Sequence, residues 1–191
     1  MNVSKNRDLI LNSAKELLAS RSFDEVTIRE ICEHAGVANS TFYYHFKTKE
    51  EMLYGLRDQD DLPVRSELLN AMMTPNLFEQ VVAVCMIRIS RAEHHGCTIT
   101  AQYYKAIIGK EIDRDDLKEE HEQEDRMIAV LIQRAQQEGV IRYDIATEAL
   151  AAAAIRLTRS VIIDWCASGG ALDMRSELRR MLLTLFGVKE D

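Results

Sequence analysis

Between residues 39 and 49 the chain places Asn39, Ser40, Thr41, Tyr43, Tyr44, His45, Lys47 and Lys49, and the stretch from Val37 to Lys49 holds no aspartate or glutamate. Amide, hydroxyl, phenol, imidazole and ammonium groups are the types that reach base edges and phosphate oxygens. An acid-free surface meets a polyanion without repulsion. Two adjacent tyrosines make little sense as the core of a short helix, whereas each phenol can donate to a phosphate oxygen while its ring lies along the sugars. Lys49 adds a cation beside the unpaired N–H groups that open the next helix, and both attract phosphate.

Other chemistries find less support. His121-Glu122-Gln123-Glu124-Asp125 begins like a zinc-binding H-E-x-x-H motif but has Asp where the second imidazole belongs. No Glu-x-x-His occurs, which weakens a di-iron bundle, and the nucleophile-elbow, dinucleotide and Walker signatures are all missing. His94, His95 and Cys97, joined by Cys85, are types that ligate a soft metal, but adjacent histidines beside Gly96 equally describe a loop. Glu111 to Asp125 carries nine carboxylates against Arg114 and Lys118. It reads as a solvated helix start, with a cation or cationic-ligand entrance as the alternative. No cofactor, metal or catalysis is expected.

The elements that must position the first group are helical. Apolar residues recur at three- and four-residue spacing along nearly the whole chain, proline occurs twice, and no Asn-Gly or Asp-Gly hairpin signal is present. The expected class is all-α with about nine helices. A first helix over residues 5–20 carries Ile10, Ala14, Leu17 and Leu18 on one stripe, with Phe23 as a plug. A second opens at Thr27, with Glu30 completing a capping box, and stops at Gly36. A third opens at Asn39 or Ser40, both good N-caps, and runs to about Phe46. Ile28, Ile31, Ala35, Val37, Phe42 and Phe46 then join the first helix in a small trihelical core. The opposite face of the third helix presents the polar group. This helix–turn–helix spacing suits a helix entering the ~12 Å wide DNA major groove, and it also suits a helical hairpin with an ordinary polar face.

Further helices are expected from Thr48, capped over Glu51, to a boundary near Pro63; over residues 76–92, apolar on nearly all sides; over 98–108 after a break at Gly96; and over 116–138, 146–167 and 173–186. Two regions follow: residues 1–47, and a larger helical region over 48–191. The 191 residues carry a net charge of −7, and pI ≈ 5.3 argues against an all-basic nucleic-acid binder. The acid, however, lies in the second region, because residues 1–50 hold seven basic and seven acidic side chains. No uncharged run approaches the ~17 residues of a membrane span, and Lys5, Arg7 and Asp8 interrupt any signal peptide, so no membrane association is expected and the cytoplasm is the expected location. Four scattered cysteines read as free thiols.

Ser40-Thr41-Phe42-Tyr43-Tyr44-His45-Phe46-Lys47-Thr48-Lys49-Glu50-Glu51-Met52-Leu53, behind a Thr that opens helix two and Ala35-Gly36-Val37 at the turn, closely resembles the DNA-binding head of the TetR (tetracycline repressor) family. The resemblance covers about residues 5–56 and implies DNA-backbone contacts from Thr27, Tyr43, His45 and Lys49. It implies base or backbone contacts from Asn39, Ser40, Thr41 and Tyr44. Beyond it, only Gly139-Val140-Ile141-Arg142, Asp144 and the two last helices look like the family's dimerisation pair. What the resemblance implies is a ligand-responsive repressor, a homodimer on a palindromic double-stranded DNA operator, released by a small-molecule effector.

The residues point to a dimer on their own as well. The alanine run from Ala149 to Ala154 admits a close helix, and Leu178, Met181, Leu182 and Leu185 form an i, i+3, i+4, i+7 stripe. Leu150, Ala153, Ala154, Leu157, Leu178, Met181, Leu182 and Leu185 are the candidate interface, although the stripe serves equally to cover the chain's own core. For an effector pocket the candidates are Met86, Tyr103, Tyr104, Met127, Leu131 and Trp165, with Arg88, Arg156 or Arg159 as anchors for an anionic group. Methionine and aromatic residues at helical spacing serve equally as core filler. A protein-binding helical adaptor, or a metal sensor with the same head, is the alternative.

Overall fold

The computed structural model describes residues 3–58, 69, 72–109 and 114–189, and every regular element among them is an α-helix. The first four are α1 (Val3–Leu18), α2 (Ile28–Ala35), α3 (Asn39–His45) and α4 (Lys49–Asp58). Ile10, Leu11, Ala14 and Leu18 of α1 are buried against Ile31 and Cys32 of α2 and Phe42 of α3, with Phe23 and Phe46 closing the ends. Leu17, Ile28, Ala35 and Val37, expected in this core, pack at its edge and remain partly exposed. Each fully buried leucine, isoleucine or phenylalanine contributes about 1.5–3 kcal/mol relative to exposure.

The turn between α2 and α3 depends on Gly36, whose φ of 66° is left-handed; its N–H closes on the carbonyls of Cys32 and Glu33. α4 starts as expected, with Thr48 Oγ1 accepting from the Glu51 N–H at 3.0 Å. It packs on α1 and against the Phe46 ring so closely that a Cβ on Gly55 would stand 2.9 Å from Phe46 Cε1, so only glycine fits there without displacing the ring.

The remaining helices are α5 (Leu77–Ile108), α6 (Arg114–Gln137), α7 (Thr147–Ala167) and α8 (Met174–Phe186). The expected break at Gly96 is present as a single non-helical residue (φ 79°, ψ 163°) inside α5. The boundary expected at Pro63 lies outside the described residues.

Two compact units result. The first takes residues 1–60 and 98–113, the second 61–97 and 114–191. This division differs from a boundary at residue 47, because Met52, Leu53 and Leu56 of α4 belong to the core of the first unit.

In the second unit the first arm of α5 is apolar on nearly every side, as its sequence requires, and buries Val81, Val84, Cys85, Ile87 and Ile89. α7 packs on both α6 and α8. Arg179 binds Glu79 through two bonds of 2.8 and 2.9 Å, and Arg175 reaches Glu93 at 2.7 Å, so α8 is tied to α5 by two ion pairs. Asp173 caps α8, accepting from the Ser176 N–H at 3.1 Å. No helix among the described residues is long and apolar enough to cross a membrane.

Candidate nucleic-acid interface

The polar face of α3 is held in place from behind. Phe42 and Phe46 are buried one turn apart, their rings 5.6 Å between centroids, so the intervening side chains point outward. Tyr43 is 57% and Tyr44 72% exposed, unusual for residues of this size, and Asn39, Ser40 and Lys47 are exposed as well. Thr41 and His45 are half-buried, with the His45 ring edge-on to Tyr44 at 5.0 Å.

The start of α3 differs from its sequence reading. Ala38 occupies the cap position and provides no side-chain bond, while Asn39 and Ser40 stand in the first helical turn. The extended backbone of residue 38 (φ −76°, ψ 151°) makes it the last non-helical residue whatever its side chain. Asn39 and Ser40 are therefore not committed to capping and remain available to an external partner.

Behind α3, α2 is fixed by the expected capping box. Thr27 Oγ1 accepts from the Glu30 N–H at 3.2 Å and the Thr27 N–H donates to Glu30 Oε2 at 2.8 Å, an arrangement worth about 1 kcal/mol. The Thr27 hydroxyl also donates to Glu30 at 2.7 Å. Arg21 joins this group at 2.8 Å, and its hydrogen bond, with those of Thr27, brings the Glu30 carboxyl down to about 2.

The two lysines expected to reach phosphate sit differently. Lys47 is exposed, and only its backbone N–H is engaged, with Glu51 at 2.6 Å. Lys49 is half-buried; its ammonium donates to the carbonyls of Phe23 at 2.5 Å and Val26 at 2.8 Å and lies 4.0 Å from the centre of the Phe23 ring. Sequence spacing placed Lys49 correctly at the start of α4 but gave no sign of partners more than twenty residues earlier.

The effector-pocket candidates are distributed over both units. Tyr103, buried, and Tyr104, half-buried, belong to the first; the others belong to the second. Leu131 is buried, Met86 and Met127 are half-buried, and Arg156 and Arg159 are exposed. Trp165 is buried with its indole N–H on the Gly170 carbonyl at 3.0 Å.

Arg88 is buried and already paired, with Glu124 at 3.0 Å and with Asp125, while Arg91 binds the other Glu124 oxygen at 2.8 Å. Burial pushes the Glu124 carboxyl up, but Arg91 and Arg88 outweigh it and leave it below the ordinary carboxylate range. An anionic group at Arg88 would therefore have to compete with two carboxylates. Sequence reasoning missed Arg91 and the acidic partners because Glu124 and Asp125 read as part of a solvated acidic run. A cleft of about 380 Å³ in the second unit is lined by Gln133, Gln136, Tyr143 and Thr147 and by none of the pocket candidates.

Among the described residues no three histidines, cysteines or carboxylates come together as a metal site. Cys85 is pushed up to about 12 by burial, which opposes the thiolate a metal needs, and Cys97 instead approaches the carbonyl of Cys166 at 3.7 Å.

At the candidate dimer surface, Leu150, Ala154, Leu178 and Leu182 are buried in the chain's own core and have no area left for a partner. The i, i+4 pair Leu178 and Leu182 covers the second unit, as the alternative reading of the stripe had it. Ala153, Leu157, Met181 and Leu185 are half-buried, and they form the part of the candidate set that still has surface.

A trihelical head whose third helix shows hydrogen-bonding side chains on an acid-free face, joined to a larger all-helical region, defines a helix-turn-helix regulator. Residues 10–54 match the family model of bacterial regulatory proteins, tetR family. A transcriptional repressor of Mycolicibacterium smegmatis, KstR2, is 26% identical over 188 residues, 96% of this chain and 90% of that protein. A TetR-family repressor of Thermus thermophilus, FadR, solved with lauroyl-CoA, superimposes with a TM-score of 0.68 at 23% identity over 97% of both chains. A regulator from Saccharomonospora viridis solved with choline gives 0.69 at 21% identity, again over 97% of each chain. Over residues 10–54 the chain is thus similar to the tetR family of bacterial regulatory proteins, and over nearly its whole length it is similar to a transcriptional repressor.

Proposed function

We propose that the protein is a cytoplasmic, ligand-responsive repressor that binds a palindromic DNA operator as a homodimer and is released by a small-molecule effector, with no catalytic activity. The observation that carries this reading is the exposure of Tyr43 and Tyr44 on an acid-free helix face anchored by Phe42 and Phe46. The three helices within residues 1–47 form the DNA-binding part, α4 completes its core, and the second unit binds the effector and the second subunit.

Asn39, Ser40, Thr41 and Tyr44 meet bases or backbone; Thr27, Tyr43, His45 and Lys47 meet the backbone. One short helix gives too few contacts for specificity, so a two-fold dimer places two such helices in successive major grooves. The half-exposed side of α7 and α8, with Ala153, Leu157, Met181 and Leu185, supports a four-helix interface.

Relatives of this fold carry different ligands, lauroyl-CoA in one structure and choline in another, so the fold leaves the effector's identity open. Effector binding shifts α4, which belongs to the head's core, and the two recognition helices then no longer match their half-sites. The effector must bind that released state more tightly, because equal affinity for both states shifts nothing.

Fluorescence anisotropy against the upstream intergenic duplex, with a scrambled duplex as control, tests the reading across a salt series. Selective binding whose log affinity falls linearly with log salt supports it. Equal affinity for both duplexes at every salt overturns it.

A further inference from the structure

Three carbonyls of the segment that leads into α2 are held by cations, one from within the segment and one from α4. Arg21, in the connection between α1 and α2, donates to the carbonyl of Glu25 at 2.7 Å. Lys49, the first residue of α4, donates to those of Phe23 and Val26 at 2.5 and 2.8 Å. Val26 immediately precedes Thr27, the N-cap of α2. The Lys49 ammonium has three N–H donors; two are committed to these carbonyls, and the cation faces the buried Phe23 ring at 4.0 Å. α2 is thus fixed at its start from two sides, by the capping box from within and by α4 through Lys49. Through the Gly36 turn, α2 sets the direction of α3.

We infer that Lys49 is a positioning residue of the DNA interface, acting inside the head by holding the start of α4 to the entry of α2, and that Lys47 is the lysine that meets phosphate. This rests on the DNA-binding reading above. A phosphate-contacting cation and an internal clamp leave different marks on binding. Removing a phosphate contact makes the slope of log affinity against log salt shallower by about 0.9 per neutralised phosphate, about 1.8 for a dimer. Removing a clamp lowers affinity at every salt and leaves the slope where it was.

The test uses the full chain, its upstream intergenic duplex, and the variants Lys49→Met and Lys47→Met, at temperatures where circular dichroism shows each variant folded. Lys49→Gln replaces Lys49→Met if the latter does not fold. For Lys49→Met we expect roughly ten-fold weaker binding at all salt concentrations with an unchanged slope. Amide exchange over residues 23–30 of the DNA-free protein should also speed up, with Lys49→Arg restoring protection. For Lys47→Met we expect the shallower slope and unaltered exchange.

A shallower slope for Lys49→Met overturns the inference. So does a lower melting temperature with affinity intact, which would make Lys49 merely structural, or exchange over 23–30 that does not change. Wild-type protein that discriminates no duplex overturns the DNA-binding reading itself, a result recognisable before any variant is made.

Discussion

The charged and polar groups of the head and those of the second unit follow opposite rules. On α3, Asn39, Ser40, Tyr43 and Tyr44 face solvent, as does Lys47 just beyond its end. Around Arg88 and Arg91, two buried guanidinium groups are matched by Glu124 and Asp125 from α6. Both sets look alike in sequence, as polar residues on amphipathic helices. The difference lies in whether the partner is already inside the molecule. A surface that leaves its donors exposed is open to an external partner, whereas a neutralised buried cluster holds helices together and yields to a ligand only by exchange.

The sharpest way to break this contrast is to remove what holds each side. Phe42→Ala, at a fully buried position, should cost about 3–5 kcal/mol and abolish operator binding, measured by urea unfolding and anisotropy. Unchanged affinity would mean that α3 is not the reading element. In the second unit, Glu124→Leu leaves Arg88 and Arg91 short of a carboxylate and should cost about 3 kcal/mol, followed through fluorescence of the single tryptophan, Trp165. Adding Arg88→Met should recover part of that loss, and a double variant worse than the sum would show that the cluster is not held by mutual pairing.

Surface changes are gentler. Asn39→Ala and Thr41→Ala should each cost about 1–3 kcal/mol and alter sequence preference, while Tyr43→Phe should weaken all duplexes alike, with melting temperatures within a degree or two of wild type. Equal losses on every duplex from all three would remove the distinction between base and backbone contacts.

The smallest effect concerns pH. The Glu30 carboxyl is held at about 2 in the folded protein against 4.5 ordinarily, so its contribution is fully present above about 4.5 and is lost as pH falls towards 2. Glu30→Gln should therefore flatten the acid limb of the melting-temperature profile in that window and leave neutral pH nearly unaltered in slope. An identical acid limb in the variant would remove Glu30 from the account.

Much of the head was legible because its signals are local. Thr27 with Glu30, Gly36, Thr48 with Glu51 and the Phe42–Phe46 spacing each act within one or two helical turns, and each appears as read. Ala38 was missed as the cap of α3 because backbone geometry at that turn outranked side-chain preference. The stripe on α8 kept two readings in sequence because a heptad-like pattern does not say which surface it covers: Leu178 and Leu182 are buried within the chain, while Met181 and Leu185 keep exposed area.

The sequence by itself determined the helices, the caps at Thr27 and Thr48, the break at Gly96 and which face of α3 is polar, since these depend on neighbours three or four residues apart. Only the tertiary structure decided that Lys49 turns inward to carbonyls 26 and 23 residues earlier, that Glu79 receives an arginine 100 residues later, and that α4 completes the head's core. Such partners are brought together by the packing of whole helices, and no local spacing carries that information.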